Sequence, residues 1–205
     1  KRIQTIIDSV DEKEFANKIS VKDSLPKGMV LSDEQLDVLD QTLNSPVSVV
    51  TGGQGTGKTT IIIALLKALE DQGKEITVCA PTGRAAKRLS ETPGMNNYKP
   101  TTIHMMLQTI TQKSSLDVLV IDEASMIDAS LMAQVCKIMD KRTRLVLIGD
   151  ADQLPPVQAG QVFKDFINSG VIPVGRLTKI FRQQSGSDII SASQRIISGS
   201  FPRSG

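Results

Sequence analysis

The chain has 205 residues, of which 40% are hydrophobic, and its formal net charge is only +2. This length is enough for one sizeable core, and the apolar fraction is ordinary for a globular domain. No apolar run approaches the ~18–20 residues of a membrane helix, so we expect a cytosolic protein with no membrane partner. The single histidine argues against a zinc site built on histidines, and Cys79 and Cys136 are predicted to be buried free thiols.

Charged residues are distributed unevenly along the chain. Residues 31–73 carry two basic and six acidic side chains, whereas residues 74–113 carry six basic and two acidic ones. Residues 171–205 carry five basic and one acidic side chain. Locally basic segments attract phosphate backbones even in a nearly neutral protein. Solvated surface charge is the alternative explanation.

Residues 1–30 predict a helical lead-in and a linker from a preceding domain, with a Pro-Gly break near residue 26. A helix is then predicted from the spacing of Leu31, Leu36, Leu39 and Leu43. Ser32 followed three residues later by Gln35 matches a capping box, in which each side chain satisfies a backbone N–H at the start of a helix.

A complete G-x-x-x-x-G-K-T motif begins at Gly52 and ends at Lys58 and Thr59. It lies between an apolar, β-branched run at residues 47–50 and a predicted helix at residues 61–69, which is the context that a P-loop requires. Glycines let backbone N–H groups surround a triphosphate, and the helix dipole adds attraction. A ligand-free glycine-rich turn is the alternative. We predict ATP and Mg²⁺ as ligands, bound by Gly52, Gly53, Gln54, Gly55, Thr56, Gly57, Lys58, Thr59 and Thr60.

Strand and helix patterns alternate through the rest of the chain. Strands are predicted at residues 75–80, 116–121 and 144–148, with short candidates at 171–174 and 177–181. Helices are predicted after Pro81-Thr82-Gly83 and at residues 102–108, 129–139, 162–167 and 187–197, and residues 149–160 form a long loop. This alternation predicts an α/β fold with a mostly parallel sheet covered by helices on both faces.

An acidic pair, Asp122 and Glu123, follows the apolar strand pattern at residues 116–121. The carboxyl end of a strand is where α/β sheets place ligand-binding groups. Many strands end in acids before a helix cap, so the pair alone is weak support. Behind a complete P-loop, it predicts that Asp122 holds Mg²⁺ together with Thr59, and that Glu123 orients and deprotonates the attacking water.

With these residues in place, the chain resembles the superfamily 1 DNA helicases of the RecD-like branch, the exodeoxyribonuclease V alpha-chain family. The resemblance covers about residues 31–200, in seven blocks that stand in the family's order: LSDEQ, GGQGTGKTT, APTGRAAKRLSE, TTIHMML, VLVIDEASMID, GDADQLPPVQAG and LTKIFRQ. It implies a P-loop NTPase of RecA-like fold. Residues 31–183 would form the first motor domain, and residues 184–205 the start of a truncated second one.

The resemblance also implies roles for single residues. Gln35 is similar to the family's adenine-contacting glutamine, although the capping box explains this residue equally well. Gln153 matches the glutamine that senses the γ-phosphate, and Arg182 matches the arginine that reaches that phosphate from the far side. A guanidinium there would stabilise the charge of a phosphoryl transition state. The implied catalytic set is Lys58, Glu123, Gln153 and Arg182.

Two blocks resemble those that hold single-stranded DNA, and they imply DNA contacts from Pro81, Thr82, Gly83, Arg84, Thr102 and His104. A solvated helix face is the alternative for Arg84 and Arg88, and packing at a helix end is the alternative for His104. Leu154 stands where some branches place a base-stacking aromatic residue. A grip on the DNA backbone should therefore dominate over stacking.

The implied function is an ATP-dependent DNA helicase motor, moving 5′ to 3′ on single-stranded DNA and at duplex junctions, with subunits of a recombination or repair complex as further partners. The rivals are a non-catalytic, helicase-derived DNA-binding or scaffold module and a nucleotide or small-molecule kinase. Only 23 residues follow Arg182. We therefore expect residues 178–186 to be mobile and this chain alone to be weakly active or inactive.

Overall fold

The computed structural model describes residues 21, 25, 29–110, 116–154, 156 and 158–181. The described strands form one sheet of six, in the order β3-β2-β4-β5-β1-β6, and each paired strand runs parallel to its neighbour. Their bounds are β1 Val47–Gly52, β2 Ile76–Ala80, β3 Thr101–Thr102, β4 Val118–Ile121, β5 Arg144–Gly149 and β6 Val174–Leu177. The predicted α/β class with a parallel sheet is confirmed.

Six α-helices connect or flank the strands within the described residues. They are α1 Asp33–Leu43, α2 Lys58–Glu70, α3 Gly83–Ser90, α4 Ile103–Thr109, α5 Ala129–Ile138 and α6 Val162–Asn168, with 3₁₀ turns at Asn96–Tyr98 and Ala124–Met126. None of these helices combines the length and the apolar character that crossing a membrane would need. The cytosolic location stays a prediction.

Both faces of the sheet are buried. Successive residues of β5 point to opposite sides: Leu145 and Leu147 belong to one apolar cluster, and Val146 and Ile148 belong to the other. This is the two-residue period of a strand that is covered on both faces. The first cluster packs against α4, α5 and α6, and the second packs against α1 and α2. The predicted helical cover on both faces is confirmed.

Helix α1 begins with the predicted capping box. The Ser32 side chain accepts a hydrogen bond from the Gln35 backbone N–H at 3.3 Å, and the Ser32 N–H donates to Gln35 Oε1 at 3.0 Å. The helix lies directly on β6, since a Cβ built on Gly175 would come within 2.6 Å of Val38 Cγ1. This close packing fixes the start of α1 beside the carboxyl end of β6.

The structure corrects the strand predictions near the end of the described chain. The two candidates at residues 171–174 and 177–181 are replaced by a single strand, Val174–Leu177, which pairs with β1 from Val49↔Val174 to Gly52↔Leu177. Pairing with the buried β1 decides where this strand lies, whereas Val171 is 51% exposed. Strand β3 is a further element that the sequence did not indicate.

Several other expectations can be compared with the structure. Cys79 and Cys136 are buried thiols that form no disulfide, as predicted, and burial raises the pKa of the Cys79 thiol. Helix α2 begins at Lys58, three residues earlier than predicted, so the P-loop lysine lies in its first turn. The predicted lead-in helix at residues 1–30 and the last helix at residues 187–197 lie outside the described residues.

Candidate nucleotide-binding site

The carboxyl ends of β1, β4, β5 and β6 meet at one edge of the sheet, and a cavity of about 650 Å³ lies there. It is lined by six residues of the glycine-rich loop and the first turn of α2, by Asp122 and Glu123, and by Gln153, Arg88 and Phe181. Ligands of α/β sheets bind at this edge. The sequence-predicted phosphate, metal and water-activating residues are thus brought together around one space.

Left-handed glycines shape the loop. Gly55 has φ 81° and Gly57 has φ 91°, and residues with a Cβ rarely adopt these backbone angles. A Cβ on Gly57 would collide with the side-chain amide nitrogen of Gln35, whereas a Cβ on Gly53 would meet nothing within 4 Å. Gly57 is also the N-cap of α2, with no side-chain cap. Because no side chain caps the N–H groups at the start of α2 and the space beside the loop is open, this position suits a bound phosphate.

Thr56 braces the loop from within. Its buried hydroxyl donates to the carbonyl oxygen of Gly53 at 2.9 Å. A Cβ built on Gly52 would lie 2.6 Å from the same hydroxyl oxygen, so the turn accepts only glycine there. Thr59 and Thr60, by contrast, line the cavity, and Thr59 is exposed. The Thr59 hydroxyl therefore lies where a ligand could reach it, while Thr56 holds the loop.

Lys58 lies at the mouth of the loop. Its ammonium donates to the carbonyl oxygens of Gly52 at 2.7 Å and Gly53 at 2.9 Å. An ammonium has three N–H donors, so these two bonds still leave one for a phosphate oxygen. The two carbonyls hold the positive charge directly in front of the first turn of α2, which is the position that the motif predicts.

Asp122 follows β4 and is 7% exposed. Burial raises the pKa of its carboxyl above the usual value, and the charge of Glu123 raises it further. A hydrogen bond from the Glu123 backbone N–H and the charges of Arg88 and Lys58 oppose this effect. A buried carboxylate with too few positive neighbours is a favourable ligand for a small, hard cation. Its oxygens and the Thr59 hydroxyl match the donor set that Mg²⁺ prefers.

Glu123 has an unusual backbone and an unexpected partner. Its φ of 53° places a non-glycine residue in the left-handed region, at the turn between β4 and the 3₁₀ turn Ala124–Met126. Its Oε1 accepts a hydrogen bond and ion pair from the guanidinium of Arg88 on α3. The sequence indicated no such pair, because the two residues are 35 positions apart and meet only because β2 and β4 are neighbours.

Gln153 completes the cavity wall from the loop after β5. Its backbone N–H donates to the carbonyl oxygen of Asp150 at 3.3 Å, and its Oε1 lies 3.5 Å from the Ser125 hydroxyl that points to it. The same loop is tied to β1, because the Ala151 N–H donates to Thr51 Oγ1 at 3.2 Å. Gln153 is thus held beside the acid pair, where a γ-phosphate sensor would have to lie.

Gln35 lies between α1 and the glycine-rich loop. It is 5% exposed, its Oε1 is used by the capping box, and its amide nitrogen faces Gly57. The capping role is therefore present, and the same side chain packs against Gly57, which lines the cavity. Contact with adenine stays a prediction.

Arg182 lies outside the described residues, but the segment before it, Thr178 to Phe181, does not. Glu34 accepts hydrogen bonds from the Thr178 N–H at 3.0 Å, the Thr178 hydroxyl at 2.6 Å and the Lys179 N–H at 3.2 Å. The Phe181 N–H donates to the carbonyl oxygen of Gly55 at 2.8 Å. These bonds tie Thr178, Lys179 and Phe181 to α1 and the P-loop, and the expected mobility of residues 178–186 stays a prediction.

The two predicted DNA segments lie side by side. β2 pairs with β3 through Cys79↔Thr101 and Ala80↔Thr102, which brings the starts of α3 and α4 together. Thr82 Oγ1 accepts from the Ala85 N–H, and Thr102 Oγ1 accepts from the Met105 N–H, each at 3.2 Å, so both threonines are N-caps. Their hydroxyl hydrogens can still be donated to a phosphate. The exposed residues of this surface include Gly83, Arg84 and His104, while Pro81 is half-buried. His104 is exposed in the first turn of α4, and its contact with DNA stays a prediction.

Comparison with known proteins identifies the relatives of this chain. The family model of an AAA domain matches residues 30–204. The ATP-dependent RecD2 DNA helicase of Deinococcus radiodurans is 36% identical over 180 residues, which cover 84% of this chain and 24% of the relative. The RecBCD enzyme subunit RecD of Haemophilus influenzae is 36% identical over 168 residues, which cover 67% of this chain and 26% of the relative. The chain thus spans about a quarter of the length of the curated relatives it matches.

A solved structure agrees with these relatives. The crystal structure of Pif1 helicase from Candida albicans matches with a TM-score of 0.58 and 28% identity, over 85% of this chain and 45% of that one. The resemblance to the RecD-like helicases is therefore confirmed, and the chain belongs to the family of AAA domains.

Proposed function

We propose that residues 31–183 form the first RecA-like motor domain of an ATP-dependent DNA helicase. The observation that supports this best is the convergence of Lys58, Asp122, Glu123 and Gln153 on one cavity at the carboxyl edge of a parallel sheet. A scaffold module that had lost its catalytic function would have no need to keep this set. Residues 1–30 would be a lead-in from a preceding domain, and residues 184–205 would begin a second motor domain.

In this proposal, the glycine-rich loop binds the triphosphate of ATP through its backbone N–H groups, and Lys58 exchanges carbonyl contacts for the β- and γ-phosphates. Thr59 and Asp122 would hold Mg²⁺, which supplies positive charge to the phosphates when it is bound. Gln35 lies at the side of the loop where the base of the nucleotide would extend. The volume of about 650 Å³ is within the usual range for small-molecule sites.

Hydrolysis requires a water that attacks the γ-phosphorus while the bond from that phosphorus to the bridging oxygen breaks. Glu123 would accept the proton of that water, and ADP would leave with the bridging oxygen. Gln153 would contact the γ-phosphate from the same wall of the cavity. Arg182 would stabilise the developing charge from the other side, as the family resemblance implies.

Single-stranded DNA would bind across the adjoining starts of α3 and α4, by contacts to its phosphates rather than by base stacking. Arg84 and His104 are exposed there beside the Thr82 and Thr102 caps. Movement from 5′ to 3′ and action at duplex junctions follow from the RecD-like resemblance. The relative from Haemophilus influenzae is named as a subunit of RecBCD enzyme. We therefore propose that the parent protein works with partner subunits. We also propose that it lies in the cytoplasm, beside DNA.

The proposal can be tested with the full-length protein that contains this chain. Strand separation is measured at low salt on duplexes with either a 5′ or a 3′ single-stranded tail, with ATP and Mg²⁺, for the wild type and for Lys58→Ala. We expect ATP-dependent separation of the 5′-tailed substrate, and its loss in the variant. ATP-independent separation, or equal activity of Lys58→Ala, would contradict the proposal.

A further inference from the structure

The chain that leaves β6 runs beside the P-loop. Leu177 lies opposite Gly52 in the pairing of β6 with β1, and a Cβ built on Gly52 would come within 2.8 Å of the Leu177 carbonyl oxygen. Further along, the Phe181 N–H donates to the carbonyl oxygen of Gly55 at 2.8 Å. Residues 177–181 therefore meet the loop at both of these glycines.

Phe181 also forms part of the wall of the nucleotide cavity. It lines that cavity together with Gly55 and Gly57. A Cβ built on Gly57 would lie 3.8 Å from Phe181 Cδ2, which is ordinary van der Waals contact. The carbonyl oxygen that Phe181 binds belongs to Gly55, one of the left-handed residues of the loop. The placement of Phe181 thus affects both the shape of the loop and the boundary of the cavity.

Glu34 holds the middle of this run. Its Oε1 accepts hydrogen bonds from the N–H and the hydroxyl of Thr178, and its Oε2 accepts one from the Lys179 N–H, at distances between 2.6 and 3.2 Å. Glu34 lies in the first turn of α1, which the capping box and the close packing on β6 fix in place. One carboxylate therefore joins a firmly placed helix to the chain beside the P-loop.

The three bonds require a carboxylate. A glutamine side chain has one acceptor oxygen and an NH₂ group, so its nitrogen would face either the Lys179 N–H or the donors of Thr178, and two donors cannot bond each other. A loop that is held in its turn before the triphosphate arrives loses less entropy when it binds. A bond that holds the neighbouring chain can therefore add to the affinity for a ligand that it does not contact.

We propose that Glu34 is a positioning residue for the nucleotide, which fixes Thr178–Phe181 beside the P-loop and thereby raises the affinity for the triphosphate. Glu34 is not among the residues that line the cavity, so it acts through Phe181 and Gly55. This inference rests on the proposed function, and it adds a determinant of nucleotide affinity outside the glycine-rich motif. Its effect falls on binding rather than on the chemical step.

The test compares the full-length wild type with Glu34→Gln and Thr178→Val. The affinity for a slowly hydrolysed ATP analogue with Mg²⁺ is measured by titration, and kcat and KM for ATP are measured at saturating single-stranded DNA. Asp33→Asn is the matched control, because Asp33 is the other acidic residue of the first turn of α1, but it is exposed and does not line the cavity. Thr178→Val removes one donor from the opposite side, which keeps the test valid if Glu34→Gln disturbs folding.

We expect Glu34→Gln and Thr178→Val to raise both the Kd of the analogue and the KM for ATP by about two- to tenfold, the range that one hydrogen bond contributes to an equilibrium constant. The kcat should stay close to that of the wild type, and Asp33→Asn should match the wild type throughout. A mere loss of folded protein would lower kcat and leave KM unchanged, so the two readouts separate positioning from stability.

Two results would count against these assignments in different ways. If the folded variants bind the analogue as tightly as Asp33→Asn does, or if the loss falls on kcat alone, Glu34 does not position the nucleotide site and this inference is overturned alone. If the wild type itself does not bind the analogue, the proposed function is overturned with it.

Discussion

The substitution Gly57→Ala tests how tightly the P-loop and α1 fit together. Gly57 has φ 91°, and an added Cβ would collide with the amide nitrogen of Gln35. The variant therefore has two defects, a strained backbone and a displaced Gln35. Gly73→Ala is the matched control, because Gly73 has φ 70° but a Cβ there would meet nothing within 4 Å.

The magnitudes of these two defects can be separated. A residue with a Cβ in the left-handed region costs about 1–2 kcal/mol, which is partly offset by about 0.4–1 kcal/mol from the stiffer unfolded chain. Both variants share this part. Displacement of Gln35 also breaks the hydrogen bond that its Oε1 accepts from the Ser32 N–H, and such a bond contributes about 0.5–1.5 kcal/mol. For a chain of this size, that difference lowers the melting temperature by about 1–6 °C.

The assay is thermal unfolding of the 205-residue chain, followed by calorimetry, for the wild type and the two variants. Gly57→Ala should melt below Gly73→Ala by the stated margin, and it should also bind Mg-ATP more weakly, because the phosphate loop must shift. Equal melting temperatures for the two variants would refute the tight contact between Gly57 and Gln35.

Two further predictions concern ionisable residues. A hydrogen bond from the Thr178 hydroxyl holds the pKa of Glu34 below its usual 4.5. Such a lowered pKa stabilises the folded chain above pH 4.5, and this stability is lost as the pH falls through the lowered pKa. The free energy of unfolding of Glu34→Gln should therefore be lower than that of the wild type at pH 7, by about 0.5–1.5 kcal/mol. In strong acid, the two proteins should be equally stable. A difference in stability that does not depend on pH would contradict this. Burial raises the pKa of Asp122 above its usual 3.8, so stability is lost as the pH rises through the raised value. At pH 7 without nucleotide, Asp122→Asn should have a higher melting temperature than the wild type, by about 2–4 °C for each kcal/mol of stability regained. This gain should vanish below pH 3.8. The variant should also lose Mg²⁺-dependent ATP binding. A lower melting temperature at pH 7 would show that the carboxylate is satisfied.

Local sequence was sufficient for the parts of the site that depend on one segment. The glycine motif and the helix that follows it have a fixed spacing from Gly52 to Thr59, and the apolar strand before Asp122 predicts the position of the acid pair. Ser32 and Gln35 form their capping box within a single helical turn. In each case, the interacting groups are only a few residues apart.

Contacts between distant segments could not be predicted in this way. The Arg88 to Glu123 pair requires β2 to lie next to β4, and the bonds of Glu34 to Thr178 join residues 144 positions apart. The end of the described chain shows the same limit. An apolar run near Val171 predicts a strand, but only pairing with β1 places it at Val174–Leu177. Strand order and register depend on the whole sheet rather than on local propensity.

The central claim is that this cavity hydrolyses ATP with Glu123 as the base. The most direct test is Glu123→Gln in the full-length protein, with Mg-ATP affinity and kcat both measured at saturating single-stranded DNA. Gln keeps the size of the side chain and an acceptor oxygen, but it cannot take the proton from water. We expect affinity close to that of the wild type and a kcat lower by about 10²–10⁴-fold. A variant that hydrolyses ATP at a near wild-type rate would contradict the assignment of this carboxylate and the mechanism built on it.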